Sequence, residues 1–199
     1  MPPALDRRAV MRLSLLAAVA SSMPLGAAKI LADPNTPENP AMTTDPRHDF
    51  DFFFGSWTVQ HSRLKERLAH STEWVEFDGA CTVQPLLGGS GNLDDNVVNL
   101  PGGAYRAVTL RAFDPETKAW AIWWLDSRHP HALDVPVIGR FENGVGTFFA
   151  DDTLNDKPVK VRFRWSHVTP ASCHWEQAFS PDGGASWEVN WVMQFTRTA

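Results

Sequence analysis

From Gly55 onward the chain is a succession of short runs in which apolar and polar residues alternate, each cut off by a turn signal. Alternation with a period of two puts successive side chains on opposite faces of a strand. About ten such runs, spaced 8–12 residues apart, bury their apolar faces as an antiparallel meander. The expected strands are 57–68, 73–86, 95–100, 105–113, 118–126, 137–141, 145–151, 159–167, 173–179 and 187–198. Asn143-Gly144 supplies the strongest hairpin turn, and 127–136 is the one long loop. Val159, Val161, Phe163 and Trp165 share a face opposite Lys160, Arg162 and Arg164. Trp187, Val189, Trp191, Met193 and Phe195 share one opposite Glu188, Asn190 and Gln194. Nine tryptophans in 199 residues require a large interior. The expected fold is all-β, an up-and-down barrel of about ten strands whose lumen is wider than that of an eight-stranded barrel. The aromatic segment 49–54 is expected to form a short helical plug at its base.

The N-terminus has a different character. Arg7-Arg8-Ala9-Val10-Met11-Arg12 precedes a moderately apolar run from Leu13 to Ala28, interrupted by Ser21, Ser22, Pro24 and Gly26. This is too broken for the ~20 apolar residues of a spanning helix. It looks like a twin-arginine export signal with Asp6 where Ser or Thr is usual, cleaved after Ala28 or Ala32. Residues 1–32 are read as the signal, 33–48 as a flexible Pro- and Asn-rich leader and 49–199 as the barrel. Removing the signal leaves 14 basic against 22 acidic residues and moves the formal charge from −5 to −8. That sign disfavours nucleic acid and anionic membrane surfaces as partners. The expected location is periplasmic or secreted. There a Cys81–Cys173 disulfide is chemically allowed, although two buried thiols suit their apolar strands better.

Two end signatures carry a family resemblance. Gly55-Ser56-Trp57 opens the first strand, and Arg197 lies near the end of the last, on the same parity as the apolar face. This resembles the lipocalin-like (calycin) barrels. The resemblance implies that Trp57 plugs the closed end while the Arg197 guanidinium stacks over it, away from water. Asp51-Phe52-Phe53-Phe54-Gly55-Ser56-Trp57 and Trp175-Glu176-Gln177-Ala178-Phe179-Ser180 are similar to a bacterial lipocalin-like family of unknown function. The resemblance spans about residues 49–197.

The remaining motifs divide between scaffold and chemistry. Ser180 to Trp187 matches the Asp-box, S-x-D-x-G-x-[ST]-W, in a single copy. Its role is local: Asp182 caps turn amides, the glycines supply positive φ and Trp187 anchors the hairpin. Gly88-Gly89-Ser90-Gly91-Asn92 lacks the spacing and following helix of a nucleophile elbow and is a turn. Asp126, Arg128, His129, His131 and Asp134 gather in the long loop. With no third histidine at ligand spacing, no metal is assigned, and the loop is read as a lid over the open end. His61 has lumenal parity and is a candidate general base or haem ligand, as in nitrobindin-like barrels, or a hydrogen-bonded core residue. Arg164, Glu176 and Asn190 lie on the polar face of consecutive strands, as an outer ion pair extended by an amide.

The preferred reading is an exported protein that binds a small, partly apolar molecule, aromatic compounds included, in the lumen. Trp57, Trp124, Trp165 and Trp191 would line it, with His61, Tyr105 and Asp126 orienting polar groups. The alternatives are an acid–base enzyme using His61, Asp126 and Glu176, and a haem-binding barrel. Whether the chain is an enzyme, which ligand it takes and whether it forms a homodimer stay open at this level.

Overall fold

The computed structural model describes residues 45–198. The signal expected at 1–32 and all of the leader up to residue 44 lie outside the described residues. Ten strands follow two short 3-10 turns, Pro46–His48 and Asp51–Phe53. They are β1 (Gly55–Leu64), β2 (Trp74–Leu86), β3 (Gly91–Val98), β4 (Tyr105–Asp114), β5 (Ala119–Asp126), β6 (Val137–Glu142), β7 (Val145–Leu154), β8 (Lys157–Ser166), β9 (Ser172–Ser180) and β10 (Glu188–Arg197). Each pairs antiparallel with its sequence neighbours, and β1 pairs with β10 to close the barrel. Closure leaves no sheet edge exposed.

The seam pairs Trp57 with Arg197. The guanidinium sits 4.1 Å from the centre of the Trp57 ring. It donates to the carbonyls of Phe54 and Phe52 at 2.5 Å and of Pro170 at 2.7 Å. Arg197 thereby ties the turn that precedes β1 to the loop between β8 and β9. Trp57 in turn donates to the Phe53 carbonyl at 2.8 Å, and Trp120 donates to that of Pro46 at 2.9 Å. Phe50 and Phe53 are fully buried at this base, so the 49–54 segment is the plug that its aromatic content predicts.

Three features depart from the sequence expectations. β3 begins at Gly91 rather than at residue 95, so Asn92 and Asp94 belong to the strand. In β10 the register shifts between Val189 and Trp191, a bulge at Asn190. The extra residue reverses parity on its N-terminal side. Trp187 therefore packs outside, against Phe149 and the Arg162 guanidinium. Asn190 is fully buried rather than on the polar face and accepts from Gln177 at 2.7 Å. The outer ion pair joins Glu176 to Arg162 at 3.3 Å, not to Arg164. Both cysteines are free and buried.

Candidate functional site

The inward side chains of β1 and β3–β10 leave a cavity of about 340 Å³ above the plug. Strand direction puts its mouth at the end opposite Trp57 and Arg197, beneath the 127–136 loop. That loop is held down: Asp134 N–H donates to the Trp124 carbonyl at 3.1 Å, and Leu133 bridges to Leu125. His129, Ala132 and Val135 of the loop face the cavity.

One wall is aromatic. Phe163 and Trp165 of β8, Trp175 of β9 and Trp191 of β10 line it, and Trp124 of β5 meets Trp191 edge-on at 6.1 Å. Trp175 and Trp191 are likewise perpendicular at 5.8 Å. Edge-to-face packing fixes the indoles while leaving ring faces for an occupant.

The floor is polar and charged. Asp94 and Arg111, each with a side chain only 3% exposed, form an ion pair at 3.2 Å. Arg111 also donates to the Asn92 side-chain oxygen at 2.9 Å. Its guanidinium lies 5.2–5.4 Å from the rings of Phe50, Phe53 and Trp165. The plug's aromatic rings thus carry a buried cation, with Asp94 balancing its charge. Above them, Asn96 donates to the Thr109 hydroxyl at 3.4 Å. None of Asn92, Asp94, Asn96, Thr109 or Arg111 is expected at the lumen from the sequence, where Asn92 reads as the end of a turn, because apolar character chooses the inner face. The signal was present: Thr109 and Arg111 share the parity of Tyr105.

At the mouth, Arg128 binds Asp126 through Nε at 3.0 Å and Nη2 at 2.5 Å, and stacks 3.6 Å above the Tyr105 ring. Burial raises the Asp126 pKa, but the Arg128 hydrogen bonds outweigh it and hold the carboxyl below its ordinary value. Burial pushes the Tyr105 hydroxyl up. Arg63 lies 4.7 Å from the Trp191 ring centre, and its burial lowers its pKa.

Among the side chains expected to line a site, Tyr105, Trp124, Asp126, Trp165 and Trp191 are on the cavity wall. Trp57 is not: it lies beneath Phe53, 5.4 Å ring to ring, as part of the plug. His61 is buried in the wall between β2 and β10 rather than facing the cavity. It stacks on Phe77 at 4.6 Å and accepts from Trp191 Nε1 at 3.2 Å. Its other nitrogen lies against Gly79, where a Cβ would come within 2.7 Å. Desolvation lowers its pKa to about 4. His61 therefore has neither the access nor the basicity of a general base, and no room for an axial bond to haem iron. Glu176 is outside, on Arg162, so His61, Asp126 and Glu176 do not converge. Asp182 and Trp187 build the β9–β10 turn. Asp182 accepts from Ser180 Oγ at 2.7 Å and from Ser186 N–H at 2.9 Å, and Trp187 Nε1 donates to the Gly184 carbonyl at 3.1 Å. Among the described residues no three His, Cys, Asp or Glu side chains group as a metal site.

A closed ten-stranded antiparallel barrel, plugged at one end and hollow at the other, is a lipocalin-like architecture. The solved structures similar to it include the S-type phycobiliprotein lyase of Guillardia theta. At 10% identity and a TM-score of 0.52, the match covers 75% of this chain and 90% of the lyase. A protein of unknown function from Nostoc punctiforme also aligns, at 8% identity and a TM-score of 0.25, over 78% of this chain and 100% of the other. No protein-family model and no curated protein matches the chain.

Proposed function

We propose that this protein binds a small, partly apolar, aromatic molecule in its lumen. The observation that carries the reading is the 340 Å³ cavity walled by Trp124, Trp165, Trp175 and Trp191 over a polar floor. This size and mixture of lining are typical of small-molecule sites. The lipocalin-like neighbour, named as a phycobiliprotein lyase, adds support by analogy. Binding is preferred over acid–base catalysis because the three titratable candidates point to three different places.

The reading includes export. Arg7-Arg8 and the weakly apolar run behind them act as a twin-arginine-type signal that delivers the barrel to the periplasm. Residues 1–32 fused to a reporter should export it, and the paired substitution R7K/R8K should abolish that.

The lumen reading is tested by native mass spectrometry and organic extraction of the full chain purified from its own host, followed by titration of the released compound against tryptophan fluorescence. A stoichiometric aromatic compound that quenches the barrel indoles is expected. No co-purified compound, with fluorescence and melting temperature unmoved by aromatics, lipids and haemin, would remove the basis of the proposal.

A further inference from the structure

The lumen has two unlike walls. The strand order places β3 and β4 across the barrel from β8 and β9. Asp94, Asn96, Thr109 and Arg111 run down the first wall as a polar strip, and Phe163, Trp165 and Trp175 cover the second. A flat molecule standing in this space meets ring faces on one side and hydrogen-bonding groups on the other.

The strip is incompletely satisfied. Five buried side-chain polar atoms among the described residues have no hydrogen-bond partner, and four of them belong to Arg111 or to residues that touch it: Asn92 Nδ2, Asp94 Oδ1, Arg111 Nε and Trp165 Nε1. Their residues are 0–3% exposed, and Asp94, Arg111 and Trp165 line the cavity. Each buried orphan is costly in a folded protein, and such atoms rarely cluster without a reason. Their chemistry is also mixed. Asp94 Oδ1, a carboxylate oxygen bound to Arg111 through its twin, can only accept. The other three can only donate.

We propose that the floor recognises the edge of a planar heteroaromatic ring on which an N–H stands beside a carbonyl. The N–H donates to Asp94 Oδ1, the carbonyl accepts from Arg111 Nε or Trp165 Nε1, and the ring faces pack on the tryptophan wall. A hydrocarbon leaves all four atoms unpaired. A free carboxylate brings its charge against the Asp94 oxygen and offers that oxygen no donor. The proposal deepens the lumen-binding reading and rests on it.

The test uses the purified full chain and three probes built on one fused bicyclic frame: 2-quinolone, N-methyl-2-quinolone and naphthalene, each titrated calorimetrically and by tryptophan fluorescence. 2-Quinolone is expected to bind at least ten times more tightly than either analogue, because methylation removes the only donor that Asp94 can use. In D94N, which keeps the side-chain size but loses the pure acceptor, discrimination between 2-quinolone and its N-methyl form should fall below about threefold, with circular dichroism verifying the fold. The wild-type comparison stands even if D94N fails to fold. Equal affinity for all three probes, as when ordered water alone satisfies the floor, overturns the polar-edge proposal and leaves the lumen reading intact. Absence of binding by every probe up to about 1 mM overturns the proposal too, while the co-purified compound still judges the lumen reading separately.

Discussion

Gly55 has φ +108°, and a Cβ built on it would lie 2.9 Å from Arg197 Nη1. The glycine that opens β1 is therefore needed twice, for backbone conformation and for the approach of the guanidinium. Gly55→Ala should cost about 1–3 kcal/mol from the positive φ alone. Arg197→Ala removes a cation–π contact and three hydrogen bonds to carbonyls, and should lower stability by about 3 kcal/mol in urea denaturation. Arg140→Ala, at an exposed side chain with no hydrogen-bond or ion-pair partner among the described residues, should stay within about 0.5 kcal/mol. His61 makes a prediction of the opposite kind, about pH. Its folded pKa of about 4 lies below its ordinary value of 6.5, so the unfolded chain takes up the proton first. The stability from neutral His61 is complete above pH 6.5 and is lost as pH falls toward 4, about 2–4 kcal/mol in all. Asp49 works against it: burial raises its carboxyl to about 6, so protonation favours the fold as pH drops from 6 to its ordinary 3.8. Comparing wild type with H61Q, whose side chain can still accept from Trp191, isolates the histidine. The variant should lose less stability between pH 6.5 and 4, and an unchanged slope would refute the assignment.

At the level of strands, alternation and turns were legible. The strand count, the antiparallel order, the Asn143-Gly144 hairpin and the aromatic plug all follow from local sequence, because each depends on neighbours within a few residues. Two things did not follow. The β10 bulge has no sequence signature of its own, and its parity change is visible only once Glu188 pairs with Phe179 and Trp191 with Gln177. The polar strip on β3 and β4 was hidden because an inward Asp or Arg breaks the rule that inner faces are apolar. That rule fails where a lumen carries its own hydrogen-bonding groups. The bulge has an energetic consequence. Asn190 is fully buried and its side-chain oxygen accepts the Gln177 amide, so Asn190→Ala leaves that donor unpaired inside the wall. A loss of about 1–3 kcal/mol is expected by chemical denaturation. Because Gln177 also lines the cavity, the same variant should weaken any lumen ligand. Asn190→Asp, which keeps an acceptor, should restore part of the stability.

For the molecule as a whole, the two cysteines report on the barrel's integrity. Cys81 lies on β2 opposite Trp57, and Cys173 on β9 opposite Phe195, both facing inward near the plug. They are 3% and 0% exposed. Burial raises both thiols, that of Cys173 to about 12, so at pH 8 almost none is the reactive thiolate. A closed barrel has no edge strand to fray, and the Arg197 seam fastens the β1–β10 junction beside them. Labelling therefore requires an opening that breaks the seam. Native protein should react with a thiol reagent such as Ellman's at pH 8 orders of magnitude more slowly than the urea-unfolded chain, with both thiols reacting at the same rate. Arg197→Ala should accelerate both by a factor set by its loss of stability, about a hundredfold for 3 kcal/mol. A lumen ligand at 100 times its Kd should slow both by up to about the same factor, through preferential binding to the closed state. Two thiols that label at different rates, or labelling that ignores Arg197→Ala, would mean that the base opens locally and that the seam is not what holds it shut.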